Sequence, residues 1–267
     1  MIDIIKARIH QKYRTIRFPD GPPPPLPDRL HGRLQIDTAR CPDGCRVCAD
    51  ACPVEAISFA EDKRPVVDLG RCLYCNDCKS ACPQQAITHA GDYRLAVRRR
   101  QDLVLQSDEA LVLAEELGAE MKKLLGRSLK LREVSAGGCN ACEADVNVLG
   151  TVGWDLSRFG IQFVASPRHA DGLLITGPVT QNMKSALLDT YEAVPDPKIV
   201  IAVGACAISG GPFIGHAEVG NGADSILPVD LYIPGCPPHP LTILDGLLRL
   251  LGRVDDHKTA MRKETKK

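Results

Sequence analysis

Long apolar runs are missing from this chain: no stretch reaches 18 residues, so no membrane-spanning helix is expected. Its beginning carries no apolar segment of the signal-peptide kind, and the expectation is a soluble, cytoplasmic chain. An excess of charge is missing too. The 33 Lys and Arg balance 33 Asp and Glu, and a net charge of zero leaves no global field to draw nucleic acid. Gly177-Pro178 and Gly210-Gly211 stand in no G-x-x-x-x-G-K-[ST] sequence, so no nucleotide-phosphate loop is expected. Nor is there a Ser-His-Asp arrangement. Aromatic residues are scarce at 4%, although a hydrophobic share of 44% is ample for a globular core. A length of 267 residues suggests two domains or one large one.

Cysteine is what the chain has in plenty. Twelve of them, in a chain with this profile, point to metal or redox chemistry rather than disulfides. They divide into three sets of four: eight between residues 41 and 82, four between residues 139 and 236.

The first eight have the most specific spacing. Cys72-x₂-Cys75-x₂-Cys78-x₃-Cys82-Pro83 is the bacterial ferredoxin pattern, and thirty residues upstream stands a second copy, Cys45-x₂-Cys48-x₃-Cys52-Pro53. The repeat extends past the ligands, since Ala51-Cys52-Pro53-x-x-Ala56-Ile57 answers Ala81-Cys82-Pro83-x-x-Ala86-Ile87. In two-cluster ferredoxins the fourth cysteine of each run crosses to the other cluster. One expected set is therefore Cys41, Cys45, Cys48 and Cys82, and the other is Cys72, Cys75, Cys78 and Cys52. Val47, Ile57, Leu73 and Ile87 are candidates to pack around them and restrict water. The first copy departs from the pattern in holding three residues, Pro42-Asp43-Gly44, between Cys41 and Cys45, and Gly44 is the residue able to absorb the extra one.

The remaining four are Cys139 and Cys142 in a C-x-x-C, Cys206 in Val203-Gly204-Ala205-Cys206, and Cys236 in Pro234-Gly235-Cys236-Pro237-Pro238. Each follows a strand-like run, as ligands gathered at strand ends would. Four thiolates suit a tetrahedral zinc site or an iron–sulfur cluster alike, and spacing alone leaves both open. Around them strands are expected at 129–134, 161–165, 172–176, 198–203 and 226–233, and helices at 142–150, 180–193 and 239–252. Such alternation implies a mostly parallel α/β sheet covered on both faces.

The expected organisation runs in five parts. Residues 1–35 are a basic amphipathic helix, Met1 to Phe18, and a Pro-rich spacer; the helix suits an anionic membrane surface or a partner groove, or else packs on its own domain. Residues 36–93 are the two-cluster domain. Residues 94–128 hold a linker helix over Ser107 to Gly126, capped by Ser107. Residues 129–252 are the α/β domain, and 253–267 a charged tail.

Gly138-Cys139-Asn140-Ala141-Cys142-Glu143, Ser166-Pro167-Arg168-His169-Ala170-Asp171, Thr176-Gly177-Pro178-Val179-Thr180 and Pro234-Gly235-Cys236-Pro237-Pro238 follow one another in an order that resembles the small-subunit family shared by respiratory complex I and nickel–iron hydrogenases. The likeness runs from about Leu129 to Leu251. Complex I members carry adjacent cysteines and hydrogenases C-x-x-C, so Cys139 and Cys142 resemble the hydrogenase side, in particular membrane-bound, energy-converting hydrogenases including formate hydrogenlyase. The first half, from the N-terminal helix to Leu105, resembles the ferredoxin subunit of the same complexes and of complex I.

The resemblance implies two usually separate subunits fused head to tail: a two-cluster α+β ferredoxin domain and a flavodoxin-like α/β domain. It implies three 4Fe–4S clusters, the proximal one on Cys139, Cys142, Cys206 and Cys236, in an electron-transfer subunit with no catalytic residues of its own. The implied partners are a nickel–iron hydrogenase-type large subunit, membrane-arm subunits, and another iron–sulfur protein or dehydrogenase, with the chain peripheral on the inner face of the cell membrane. The alternatives are a complex I-like quinone-reducing arm and a zinc-stabilised scaffold without redox chemistry. Glu143 and Asp145 suit a proton route or partner contact as well as a helix start, and His239 either a donor to sulfur or a structural helix start. Arg168 and His169 are expected at an interface.

Overall fold

The computed structural model of this chain describes residues 2–61, 63–106 and 109–254; the expected tail beyond residue 254 and the expected cap at Ser107 lie outside them. The first helix, α1 (Ile2–Gln11), has no buried residue. It stops well short of Phe18. Lys12 takes a φ of 54°, and the chain then lies against the second half of the molecule. There the Ile16 N–H donates to Gly153 O at 2.8 Å, and buried Phe18 meets the edge of Tyr93.

Residues 34–106 form a small antiparallel unit of β1 (Leu34–Ile36), α2 (Val47–Asp50), β2 (Ile57–Phe59), β3 (Pro65–Asp68), α3 (Asp77–Ala81), β4 (Ile87–His89) and β5 (Val104–Gln106). β1 pairs with β4, while β3 pairs with both β2 and β5. The internal repeat is visible in the backbone. Glu55 and Gln85 take φ values of 50° and 49°, and the N–H groups of Ala56 and Ala86 donate to the sulfurs of Cys52 and Cys82 at 3.2 and 3.4 Å. Gly44 has a φ of +72°, so the extra residue before Cys45 is absorbed in a left-handed turn.

The expected helix over Ser107 to Gly126 is present only as α4 (Ala119–Leu125). Upstream of it, Ala114 N–H bonds to Ala96 O and Leu117 N–H to Leu250 O, so these amides are committed to other segments rather than to a helical turn. Residues 104–106, expected in the linker, are a strand of the antiparallel unit instead.

The second half contains β6 (Leu129–Ser135), α5 (Ala141–Val148), β7 (Ile161–Phe163), β8 (Gly172–Thr176), α6 (Gln181–Ala193), β9 (Ile199–Val203), α7 (Ala205–Ser209), β10 (Leu231–Ile233) and α8 (Pro240–Leu250). The sheet is parallel throughout, in the order β7-β6-β8-β9-β10. That is the flavodoxin-like order, with its switch point between β6 and β8. β8 and β9 are buried at every position, as their unbroken apolar sequences require. The strand expected over 226–233 shrinks to three residues. Pro228 has no N–H to give, and Asp230 instead accepts from Val200 N–H through its side chain at 2.9 Å.

α8 is buried along its whole length. Its core is shared with Phe18, Ala96, Ala114 and Leu117, which close over it from the N-terminal and linking segments. The two halves also meet through a bridge from Val97 to Tyr232, a hydrogen bond from Ser209 Oγ to Gly70 O at 3.1 Å, and a core in which Val67 and Leu69 join Ala202, Ala207 and Ile208.

Candidate metal centres

All twelve cysteines are free thiols, and the fold gathers them in three places. Cys52, Cys72, Cys75 and Cys78 line one small, largely apolar cavity together with Leu34, Val54, Ile57 and Leu73. Burial pushes the Cys72 thiol up to about 12 and Cys78 to about 11, with the neighbouring cysteines, Cys52 among them, adding to the shift. Cys41 is raised by burial and then by Cys45 and Cys82, and Cys48 by burial and by Cys41 and Cys45. Cys52 thus lines the cavity of the second run, and Cys82 acts on Cys41 of the first. Ile57 and Leu73 line the cavity of the second set, Ile87 is buried in the core against which Cys48, Cys78 and Cys82 pack, and Val47 is 39% exposed.

The third set sits at the carboxyl ends of three parallel strands. Cys139 and Cys142 follow β6, Cys206 lies in α7 directly after β9, and Cys236 follows β10. Burial raises Cys142 strongly and Cys206 to about 11, and each is raised further by Glu143 and by its fellow cysteines. The backbone makes room for these sulfurs: a Cβ on Gly204 would lie 2.5 Å from Cys142 Sγ.

In each set at least two thiols are raised by burial and, in addition, by neighbouring cysteines: Cys41 and Cys48 in the first, Cys72 and Cys78 in the second, and Cys142, Cys206 and Cys236 in the third, so thiolates gathered there call for a cation among them. Sets of four cysteines are the ligand complement of an iron–sulfur cluster, which takes one thiolate at each of four irons. The sets are also neighbours. Cys236 is raised by burial, by Cys139 and then by Cys75, and Cys48 contributes to the shift of Cys78.

Other expected residues separate into distinct places. Glu143 is buried, its Oε1 accepting from Ser135 Oγ at 2.6 Å and Thr176 Oγ1 at 2.7 Å. Burial acts to raise its carboxyl, but those hydrogen bonds outweigh it and hold the group below its ordinary range. His239 Nδ1 accepts from Leu241 N–H at 3.1 Å and caps α8, a structural task. Asp145, raised by burial, joins Arg29, His31, Cys236 and His239 around a cavity of about 280 Å³ where the Pro-rich segment crosses the third set. Arg168 and His169 are exposed in a turn before β8, at the opposite end of the sheet from the cysteines. Sequence reasoning passed over Tyr74, Asn76 and His89, which line the cavity of the second cysteine set. The readable signal was a break in the repeat, where Phe59 of the first copy is answered by His89.

Residues 139–250 match the family described as NADH ubiquinone oxidoreductase, 20 Kd subunit, and residues 40–88 match the 4Fe-4S dicluster domain. The chain is 43% identical over 136 residues to the probable membrane-bound hydrogenase subunit mbhJ of Pyrococcus furiosus, covering 51% of this chain and 81% of that one. It is 47% identical over 137 residues to formate hydrogenlyase subunit 7 of Escherichia coli, covering 51% of this chain but only 54% of the relative. Against an NADH-quinone oxidoreductase subunit of Carboxydothermus hydrogenoformans it is 38% identical over 159 residues, covering 54% of this chain and 96% of that protein.

Proposed function

This chain belongs to the family of the NADH ubiquinone oxidoreductase 20 Kd subunit, joined to a 4Fe–4S dicluster domain, and from that premise we propose a three-centre electron relay within one polypeptide. It is an electron-transfer subunit of the hydrogenase and complex I type, without a complete active site of its own. In the proposed relay Cys139, Cys142, Cys206 and Cys236 hold the proximal 4Fe–4S cluster, Cys52, Cys72, Cys75 and Cys78 the middle one, and Cys41, Cys45, Cys48 and Cys82 the outer one.

The observation that carries this reading is the succession of the sets: Cys236 is within electrostatic reach of Cys75, and Cys78 of Cys48. Each cluster, when bound, supplies a one-electron carrier whose potential depends on burial and on hydrogen bonds to sulfur. The protein's part is to hold the thiolates, exclude water and keep neighbouring sets adjacent. The apolar lining of Val54, Ile57 and Leu73 and the shared core between the halves serve those ends.

The partners follow from what is left open. Cys139 and Cys236 are exposed, and Phe213, beyond Cys206, is 49% exposed; this end faces the catalytic large subunit in the proposed assembly. Cys41 and Val47 are exposed at the other end and face another iron–sulfur protein or dehydrogenase. No helix among the described residues is long and apolar enough to cross a membrane. The relative named as a membrane-bound hydrogenase subunit supports attachment to membrane-arm subunits, with α1 as the contact. The names of the hydrogenase and formate hydrogenlyase relatives, with the C-x-x-C of Cys139 and Cys142, support hydrogen evolution or oxidation as the overall reaction. The match over 96% of an NADH-quinone oxidoreductase subunit supports a quinone-reducing arm as the second reading.

The test is anaerobic purification of the complex containing the full-length chain. This subunit should contribute about twelve iron atoms and as many labile sulfides, and Cys236→Ser should leave about eight, with the other two sets intact. Zinc as the main metal would overturn the relay. Reduction of the clusters by hydrogen gas separates the two readings: the quinone-reducing arm predicts none.

A further inference from the structure

The two copies of the ferredoxin repeat hold their cysteines alike but surround them differently. In the first copy Arg46, between Cys45 and Cys48, lies 4.9 Å over the ring of Phe59 in β2. The residues at the same places in the second copy are Asn76, between Cys75 and Cys78, and His89 in β4. His89 packs against His31 with the rings tilted and their centroids 4.8 Å apart, and Asn76 Nδ2 donates to His31 Nε2 at 2.8 Å. An apolar ring under a cation has thus been replaced by a histidine–histidine–amide cluster.

This polar cluster lies at the second thiol set. Tyr74, Asn76 and His89 line the cavity that Cys52, Cys72, Cys75 and Cys78 also line. Among the described residues, Tyr74 Oη, Asn76 Oδ1 and His89 Nδ1 are buried atoms without a hydrogen-bond partner. Buried polar atoms are rarely left unpaired, and three around one cavity point to an acceptor or donor that belongs inside it. The Asn76 amide donates to His31 Nε2, and His89 Nδ1 is left as a buried ring nitrogen with no partner among the described residues. A ring nitrogen that carries its proton is a donor, and the four cysteines lining the same cavity are the acceptors the chain offers around it.

We propose that His89, held by His31 and Asn76, donates a hydrogen bond from Nδ1 to sulfur of the iron–sulfur group in the second set, and thereby raises the potential of the middle centre. The inference rests on the relay reading and deepens it: hydrogen bonds to sulfur favour the more negative, reduced state. Phe59 offers no such donor to the first copy. The duplicated domain therefore holds two carriers of the same ligation whose surroundings differ at two matched positions, Arg46 against Asn76 and Phe59 against His89, and His89 is the one that offers a donor on the second set's cavity.

The experiment is a potentiometric titration of the complex, followed by electron paramagnetic resonance, with the middle centre identified by its loss in Cys72→Ser. His89→Phe installs the first copy's residue and keeps an aromatic ring in the space. It should weaken reduction of the middle centre about tenfold, which for a one-electron couple is about 59 mV downward. The outer and proximal centres should stay in place, and His89→Gln, which keeps an N–H donor, should recover part of the shift. An unchanged potential in His89→Phe with full iron content overturns the proposal, as does an equal shift of all three centres. If His89→Phe fails to hold the middle centre, His89→Gln and His31→Phe decide: wild-type potentials in both overturn the proposal, and a drop confined to the middle centre supports it. Lack of reducible iron in the wild-type complex would strike the relay reading itself, a result distinct from any of these.

Discussion

Replacing Gly204 by alanine should empty the third cysteine set while sparing the other two. Gly204 has φ 89° and ψ 156°, a backbone region that is essentially glycine's alone, and forcing another residue into it costs about 1–3 kcal/mol. It cannot relax easily, because its N–H donates to Ile233 O at 2.9 Å and the next N–H, of Ala205, donates to Gly235 O at 2.8 Å. The new Cβ would also sit 2.5 Å from Cys142 Sγ, an overlap of the kind that costs about a further 1–3 kcal/mol. Together that is roughly 2–6 kcal/mol placed on one ligand, against a total stability of about 5–15 kcal/mol for a typical protein. The chain should fold and Cys142 should be displaced. Iron in this subunit should fall from about twelve to about eight, with the signals of the ferredoxin unit unchanged. Gly44→Ala is the comparison: its φ is +72° but no atom lies within 4 Å of the added Cβ, so it should cost about 1–2 kcal/mol and keep all three centres. Full iron and an unaltered proximal signal in Gly204→Ala would refute the reasoning, and so would equal losses in the two variants.

The cysteines were legible because their spacing is itself the geometry. Thiols with two or three residues between them define a loop around a cluster, and a duplicated run with Cys-Pro at its end already suggests the exchange of Cys52 and Cys82. Cys206 and Cys236 are far from Cys139 in sequence, yet each follows an apolar strand, and a parallel sheet brings all carboxyl ends to one edge. The linker was misread for a physical reason. Leu111, Ala114 and Leu117 recur at helical spacing, but the same spacing serves a non-helical strap that touches the ferredoxin-side core through Leu111 and the core of α8 through Ala114 and Leu117. Its amides are satisfied by Ala96 and Leu250, partners about 18 and 133 residues away that no local pattern reveals. The α1 boundary failed likewise, since Ile16 and Phe18 continue the apolar spacing of the helix while packing on the second half. The polar shell of His31, Asn76 and His89 comes from three separate segments and had no periodicity to show. Only comparison of the two repeats, residue by residue, exposes it.

Glu133 is held up at about 7 by burial and by Glu143, from an ordinary value of 4.5, and its Oε1 has no partner among the described residues. A carboxyl raised in the folded state costs stability as pH climbs from 4.5 through about 7, so Glu133→Gln should stabilise the protein at pH 8 and be neutral at pH 4. The gain should be about 1 kcal/mol, well below the full value of the shift because the group is partly solvated, and a gain in melting temperature that is equal at both pH values would refute it. The remaining prediction concerns α1. Ile2, Ile4, Ile5 and Ile9 are 68%, 74%, 56% and 70% exposed, and Lys6, Arg8 and Lys12 lie among them. Apolar side chains so open on a basic helix call for a cover, and a helix of ten residues cannot span a bilayer, so docking against membrane-side partners is the use that fits. Deletion should stop at Gln11, because Thr15, Ile16 and Phe18 bond or pack against the second half and removing them would damage it. The shortened protein should keep its full iron content, since the first ligand is Cys41, but should wash more readily from membranes when cells are fractionated beside the full-length form. Equal membrane retention of the two, with equal iron, would rule out α1 as the attachment.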